Sequence, residues 1–205
     1  MIVKGIIKDV FPSIWPLVLF VSVVLITLRV FYIFKGSRKV VIYKEILGLI
    51  FVIYILCLYH VLTYQNTGYA GVNFTPFKEM FRYAFGSQKF IKNIVGNIVL
   101  FIPFGFFTSY YLNQKKMAVP TFITLAVSLC AEAIQYHIGR IFDVDDIILN
   151  VLGGFLGYLL FVALSAIRGK LPRFMKSDAF LNFIVILIVI IIVLAAMGIN
   201  IFELL

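Results

Sequence analysis

AVPTFITLAVSLCAEAIQYHI, residues 118–138, holds a single charged side chain, Glu132, within a run long enough to cross a bilayer as a helix. Five more apolar runs of similar length flank it: Ile14–Phe34, Ile46–Tyr64 and Ile94–Leu112 before, Ile147–Ile167 and Ala179–Ile199 after. Across all 205 residues, 63% are hydrophobic and 13% charged, and the mean hydropathy is +1.09. Soluble domains carry about 25% charged residues, so a soluble enzyme, a disordered chain and a DNA-binding domain are all excluded. The chain predicts an all-α polytopic transmembrane bundle of about six spans, forming one membrane domain over 1–205. Every backbone polar group of those spans must be bonded internally. The first run is too long for a secretory signal, and it meets Lys35, Arg38 and Lys39 without a small-x-small cleavage site, so it is retained as a span.

The net charge of +9 raises the question of nucleic acid, and the placement of the 18 Lys and Arg answers it. Most lie in short loops between apolar runs, as topology signals do, and no nucleic-acid partner is expected. Six spans put both termini on one side. The opposite side collects eleven basic residues: Arg29, Lys35, Arg38, Lys39, Lys44, Lys115, Lys116, Arg168, Lys170, Arg173 and Lys176. The side of the termini has seven: Lys4, Lys8, Lys78, Arg82, Lys89, Lys92 and Arg140. The excess places both termini outside the cytoplasm, in a multi-pass membrane protein.

The long outer loop, Gln65 to Lys92, holds a helix signal. Thr75 and Pro76 read as N-cap and first helical residue, and Phe77, Met80, Phe81, Ala84 and Phe85 then recur on one side. The pattern predicts a short amphipathic helix at the outer interface, in contact with lipid. Arg29 reads as reaching toward the basic loop after span one. Cys57 and Cys130 read as buried small apolar residues.

Polar groups inside spans are costly, so each asks for a reason. Glu132 and Gln135 are neighbours on one helix face; Asn93 with Asn97, and Asp146 with Asn150, are four apart and share faces likewise. Counted from the span ends, the three pairs fall at one level, with Glu132 about 9 Å below the outer end of span four. The turn between spans four and five adds Arg140, Asp143 and Asp145 above them. Gly153 and Gly157 form a small-xxx-small packing pair on nearly the same face as Asp146 and Asn150.

The run Glu132-x2-Gln135-x4-Arg140-x2-Asp143-x2-Asp146-x3-Asn150-x2-Gly153-x3-Gly157 resembles the signature of the VanZ-like membrane proteins. The segments Asn73-x2-Pro76-Phe77 and Gly96-Asn97-x2-Leu100-x2-Pro103-x-Gly105 agree with it. The resemblance covers roughly 46–165 as a VanZ-like core and leaves 179–199 as an additional C-terminal transmembrane helix. It implies an envelope protein of the bacterial cytoplasmic membrane, associated with resistance to teicoplanin-type glycopeptides by a route independent of remodelling the peptidoglycan stem peptide. It names a phenotype and not a reaction. In the family spacing Asp146 fits better than Asp145, which implies that Asp145→Asn is tolerated.

The chemistry of the cluster leaves several readings open. Arg140 suits phosphate or carboxylate; Asn97, Gln135, Asp143 and Asn150 supply further ligand contacts. Glu132 and Asp146 are the carboxylates at which a catalysed reaction would exchange a proton. Together these describe an outward-facing pocket for an anionic or lipid-linked envelope molecule, such as a cell-wall precursor or a lipoglycopeptide. No Ser-His or Cys-His nucleophile is evident, so enzyme activity stays undecided. Glu132 and the three aspartates offer oxygen only, which suits Mg²⁺, Ca²⁺ or Mn²⁺. An acidic turn beside an arginine reads more simply as a solvated ion pair, so no metal or other cofactor is assigned, and His60 and His137 read as interfacial bystanders. The inner halves of spans three to five carry few polar residues, which argues against a transport route. The alternatives are a small membrane transporter and a non-catalytic scaffold in which the cluster only ties helices together.

Overall fold

The computed structural model describes residues 2–35, 41–63, 71–113 and 116–196. Arg38, Lys39, Lys115, the start of the outer loop and the end of the last span, 197–199, lie outside them. Six long helices follow one another: α1 (Ile2–Lys35), α2 (Ile42–Thr63), α3 (Gln88–Leu112), α4 (Ala118–His137), α5 (Val144–Lys170) and α6 (Asp178–Ala196). Helices α2 to α5 are each long and apolar enough to cross a membrane. In α1 and α6 the described apolar stretches are Ile14–Val30 and Asp178–Ile191. The chain is thus an all-α helical bundle. Two short strands, β1 (Gly71–Asn73) and β2 (Ile141–Asp143), pair in parallel, with Asn73 beside Asp143.

The burial pattern is that of a membrane protein. On α4, Phe122 is 69% and Leu129 44% exposed, while Glu132 is 1% and Thr124 and Ser128 are 0% exposed. Lipid is as apolar as leucine, so nothing drives large aliphatic side chains inward; helices associate through small residues and polar contacts instead. Cys130 accordingly lies exposed and Cys57 half-buried, rather than in the interior as the sequence suggested.

Helices α3 and α5 approach until backbone meets backbone. A Cβ at Gly153 would run into the carbonyl of Ile98, one at Gly157 into the carbonyl of Ile102 and the amide of Phe106, and one at Gly105 into the backbone of Gly154. Helix α2 joins through the hydroxyl of Tyr54, which donates to the Leu100 carbonyl at 2.6 Å, and through Leu58, which packs with Phe101 and Phe104. Helix α6 is tied to the start of α2: Tyr43 donates its backbone N–H to Asn182 at 2.9 Å and its hydroxyl to Asp178 at 3.2 Å. Arg29 on α1 donates to both carboxylate oxygens of Glu45 on α2, at 2.7 and 2.5 Å, instead of simply extending toward the basic loop.

The segment Thr75–Phe85 departs from the helix that its periodicity predicts. It is a series of turns with one 3-10 turn, Met80–Arg82. Phe77 takes a positive φ of 67°, which breaks any helix at its start. The physical reason is tertiary. The N–H groups of Phe77, Glu79 and Met80 turn toward the Asp145 carboxylate, at 2.5, 2.8 and 3.2 Å, and are lost to a helical ladder.

Candidate functional site

Four helix ends meet at one end of the bundle: the C-termini of α2 and α4 and the N-termini of α3 and α5. The polar residues gather there. Asn97 on α3 donates its side-chain amide to Asp146 on α5 at 2.6 Å. Glu132 on α4 accepts the backbone N–H of Asp143 at 3.0 Å, and Asp143, Asp146 and Arg140 all lie within its electrostatic reach. One turn deeper, Asn150 donates to the Ser128 hydroxyl at 3.0 Å. One turn shallower, Gln135 and Arg140 both donate to the Leu62 carbonyl, at 2.9 and 3.0 Å.

The carbonyl of Leu62 is free because it sits in the last turn of α2, where no later amide of the helix reaches it. Gln135 and Arg140 supply that missing donor and so fasten α2 to the site. Asp143 caps α5, its side chain accepting from the Asp145 N–H at 2.9 Å. Its carboxylate also receives the Asn73 amide at 2.9 Å across the β ladder. Burial pushes the Asp143 carboxyl above its ordinary range, and these two hydrogen bonds oppose the shift.

Asn97, Arg140, Asp143 and Asp146 are half-buried, whereas Glu132, Gln135 and Asn150 are buried beneath them. Asn93, paired with Asn97 by spacing, lies in a π turn, Ile91–Val95, and makes no hydrogen bond to the cluster among the described residues. Nor, among the described residues, is any group of three or more His, Cys, Asp or Glu placed to hold a metal ion. A separate groove of about 510 Å³ opens toward the other end of the bundle, lined by Gly48, Phe51, Phe104, Tyr111 and other mainly apolar side chains.

Sequence reasoning underrated Asp145. It is 1% exposed, and its carboxylate gathers three backbone N–H groups of the 77–80 turn, so the side chain expected to be dispensable organises the loop above the site. Nothing in its spacing signals this, because its partners are backbone groups more than sixty residues away. It also missed Ser128 and Thr124. Their signal was present: Thr121, Thr124, Ser128, Glu132 and Gln135 follow one another at steps of three and four, one continuous face of α4. The shortage of polar residues in the inner half of span four therefore does not hold.

Lipid-facing helices around a buried polar seam, capped at one end by a short β ladder and a carboxylate-bound turn, define a polytopic membrane protein with a polar centre at one bundle end. The chain belongs to the VanZ/LLP1 family, whose pattern matches residues 46–166. It is 32% identical over 136 residues to Protein VanZ of Enterococcus faecium, an alignment covering 64% of this chain and 75% of that protein. No solved structure matches it.

Proposed function

We propose that this VanZ-like envelope protein contributes to teicoplanin-type glycopeptide resistance by binding, at an outward-facing polar centre, the headgroup of an anionic or lipid-linked envelope molecule. The observation that carries this reading is the position of Arg140. It stands half-buried at the mouth of the cluster with one guanidinium nitrogen on the Leu62 carbonyl, and among the described residues it forms no ion pair within 4.0 Å. A planar set of N–H donors at a membrane surface suits phosphate or carboxylate. Asp146, bonded to Asn97, lies within the electrostatic reach of Arg140, and Glu132 is buried nearby as the group able to take or give a proton. The scaffold reading draws on a different observation, that many of these polar atoms already bond one another or backbone.

Conservative substitutions separate the two readings. Glu132→Gln, Arg140→Lys and Asp146→Asn should each abolish the teicoplanin phenotype in cells while membrane abundance and detergent thermal stability stay near normal. Parallel loss of phenotype and stability would instead support the scaffold. The side of the membrane is tested independently. In a background lacking Cys57 and Cys130, Lys78→Cys should react with an impermeant thiol reagent on intact cells and Lys116→Cys should not; the reverse pattern would place the centre on the cytoplasmic side.

A further inference from the structure

The helix expected over the outer loop is absent, yet its phenylalanines stay outward. Phe74 is 73%, Phe77 51%, Phe81 84% and Phe85 92% exposed. They lie in the chain between the spans α2 and α3, outside both. Ring contacts cover them only in part: Phe77 stands 6.4 Å from Phe81 and Phe85 5.0 Å from Phe90, centroid to centroid. So much exposed aromatic surface in one short segment marks a contact site. Its charge says with what. Over residues 71–92, Lys78, Arg82, Lys89 and Lys92 are all exposed, and Glu79 is the single acidic residue. Arg82 takes Glu79 at 3.1 Å. Among the described residues, the three lysines have no acidic partner within 4.0 Å.

A non-helical segment ordinarily cannot enter lipid, because its backbone polar groups find no partners there. This one has its donors answered. The N–H of Thr75 is taken by the Asn73 side chain, those of Phe77, Glu79 and Met80 by the Asp145 carboxylate, and those of Phe81 and Arg82 by the carbonyls of Phe77 and Glu79. Asp145 thus does for the turn what a helical ladder does for an amphipathic helix.

We propose that segment 74–85 is an interfacial anchor, a non-helical turn whose phenylalanines sit at the boundary of headgroups and acyl chains among anionic phospholipids, in the leaflet on the side of the polar centre. Apolar faces of this kind lie about 5–10 Å into that boundary. The lysines then meet the phosphates. Asp145 ties the turn to the start of α5, next to Asp146, so seating the turn also sets the polar centre at headgroup depth. The anchor goes beyond the headgroup reading and requires no ligand at Arg140.

Tryptophan fluorescence tests the anchor. The chain has one tryptophan, Trp15; in a Trp15→Phe background, Phe81→Trp or Phe85→Trp supplies a single reporter at a position open enough for the larger ring. The full chain is reconstituted in vesicles of phosphatidylglycerol and phosphatidylethanolamine that carry bromine on the acyl chain, either near the carbonyl or near the chain end. Bromine near the carbonyl should quench each reporter about twofold more than bromine at the chain end, and acrylamide should quench severalfold less than it quenches free tryptophan. At equal mole fraction, brominated phosphatidylglycerol should quench about twofold more than brominated phosphatidylethanolamine. A reporter open to acrylamide and untouched by bromine puts the turn in water; one shielded from both puts it against a second copy or another protein. Either result overturns the anchor. Strongest quenching from the chain ends overturns its interfacial depth, and equal quenching by the two lipids overturns the anionic partner. None of these measurements uses the resistance phenotype or a ligand, so failure of the headgroup reading would leave them unchanged.

Discussion

Replacing Asp145 by alanine should release the 77–80 turn from the end of the bundle. The carboxylate accepts three backbone N–H groups at 2.5, 2.8 and 3.2 Å from a site that is 1% exposed. Leaving a buried donor unmatched costs about 1–3 kcal/mol. Three such groups in a surface turn can partly recover water, so a total near 3 kcal/mol is expected. Hydrogen exchange at the amides of Phe77, Glu79 and Met80 should then accelerate by about 100-fold, since each 1.4 kcal/mol is a factor of ten. Exchange in the middle of α3 and α5 should hardly change. Asp145→Asn should act in the same direction: it keeps one acceptor oxygen but turns an N–H against the donors of Glu79 and Met80. This reverses the tolerance that family spacing implies. Unchanged protection in both variants would show that the turn is held by its own sequence.

Gly157→Ala should destabilise the bundle itself. Alanine is the better helix former by about 1 kcal/mol, so propensity alone predicts a gain. The added Cβ, however, meets the Ile102 carbonyl and the Phe106 amide of α3, and backbone cannot rotate aside as a side chain can. The helices must separate, and overpacking of this kind typically costs 1–3 kcal/mol. With an unyielding neighbour we expect about 3 kcal/mol, read as a loss of helical signal at lower temperature in detergent. Separation of α3 from α5 also pulls Asn97 from Asp146, so stability and phenotype should fall together, unlike the site substitutions. Gly169→Ala is the internal control. Nothing lies within 4 Å of a Cβ there, so that variant should be as stable as the parent or slightly more so. Equal stability of the two alanine variants would remove the close α3–α5 approach from the argument.

Composition and spacing alone make the bundle legible, and with it Asn97, Glu132, Gln135, Arg140, Asp146 and Asn150 as side chains of its polar centre, but not Ser128 or the part played by Asp145. Apolar runs of bilayer length leave the backbone no option but helices, and the i, i+3 and i, i+4 spacings put Glu132 with Gln135 and Asp146 with Asn150 on shared faces before any contact is known. These are local properties, one helix at a time. The partners of these side chains come from packing in three dimensions. Leu62 enters the centre through a carbonyl freed by the end of its helix, which any residue type would provide. Phe77, Glu79 and Met80 enter through backbone N–H groups that Asp145 draws out of the helix their side chains predict. Glu45 claims Arg29 from the facing helix. Backbone groups are common to every residue and carry no sequence signal, so which of them a buried carboxylate or amide takes is settled by packing in three dimensions.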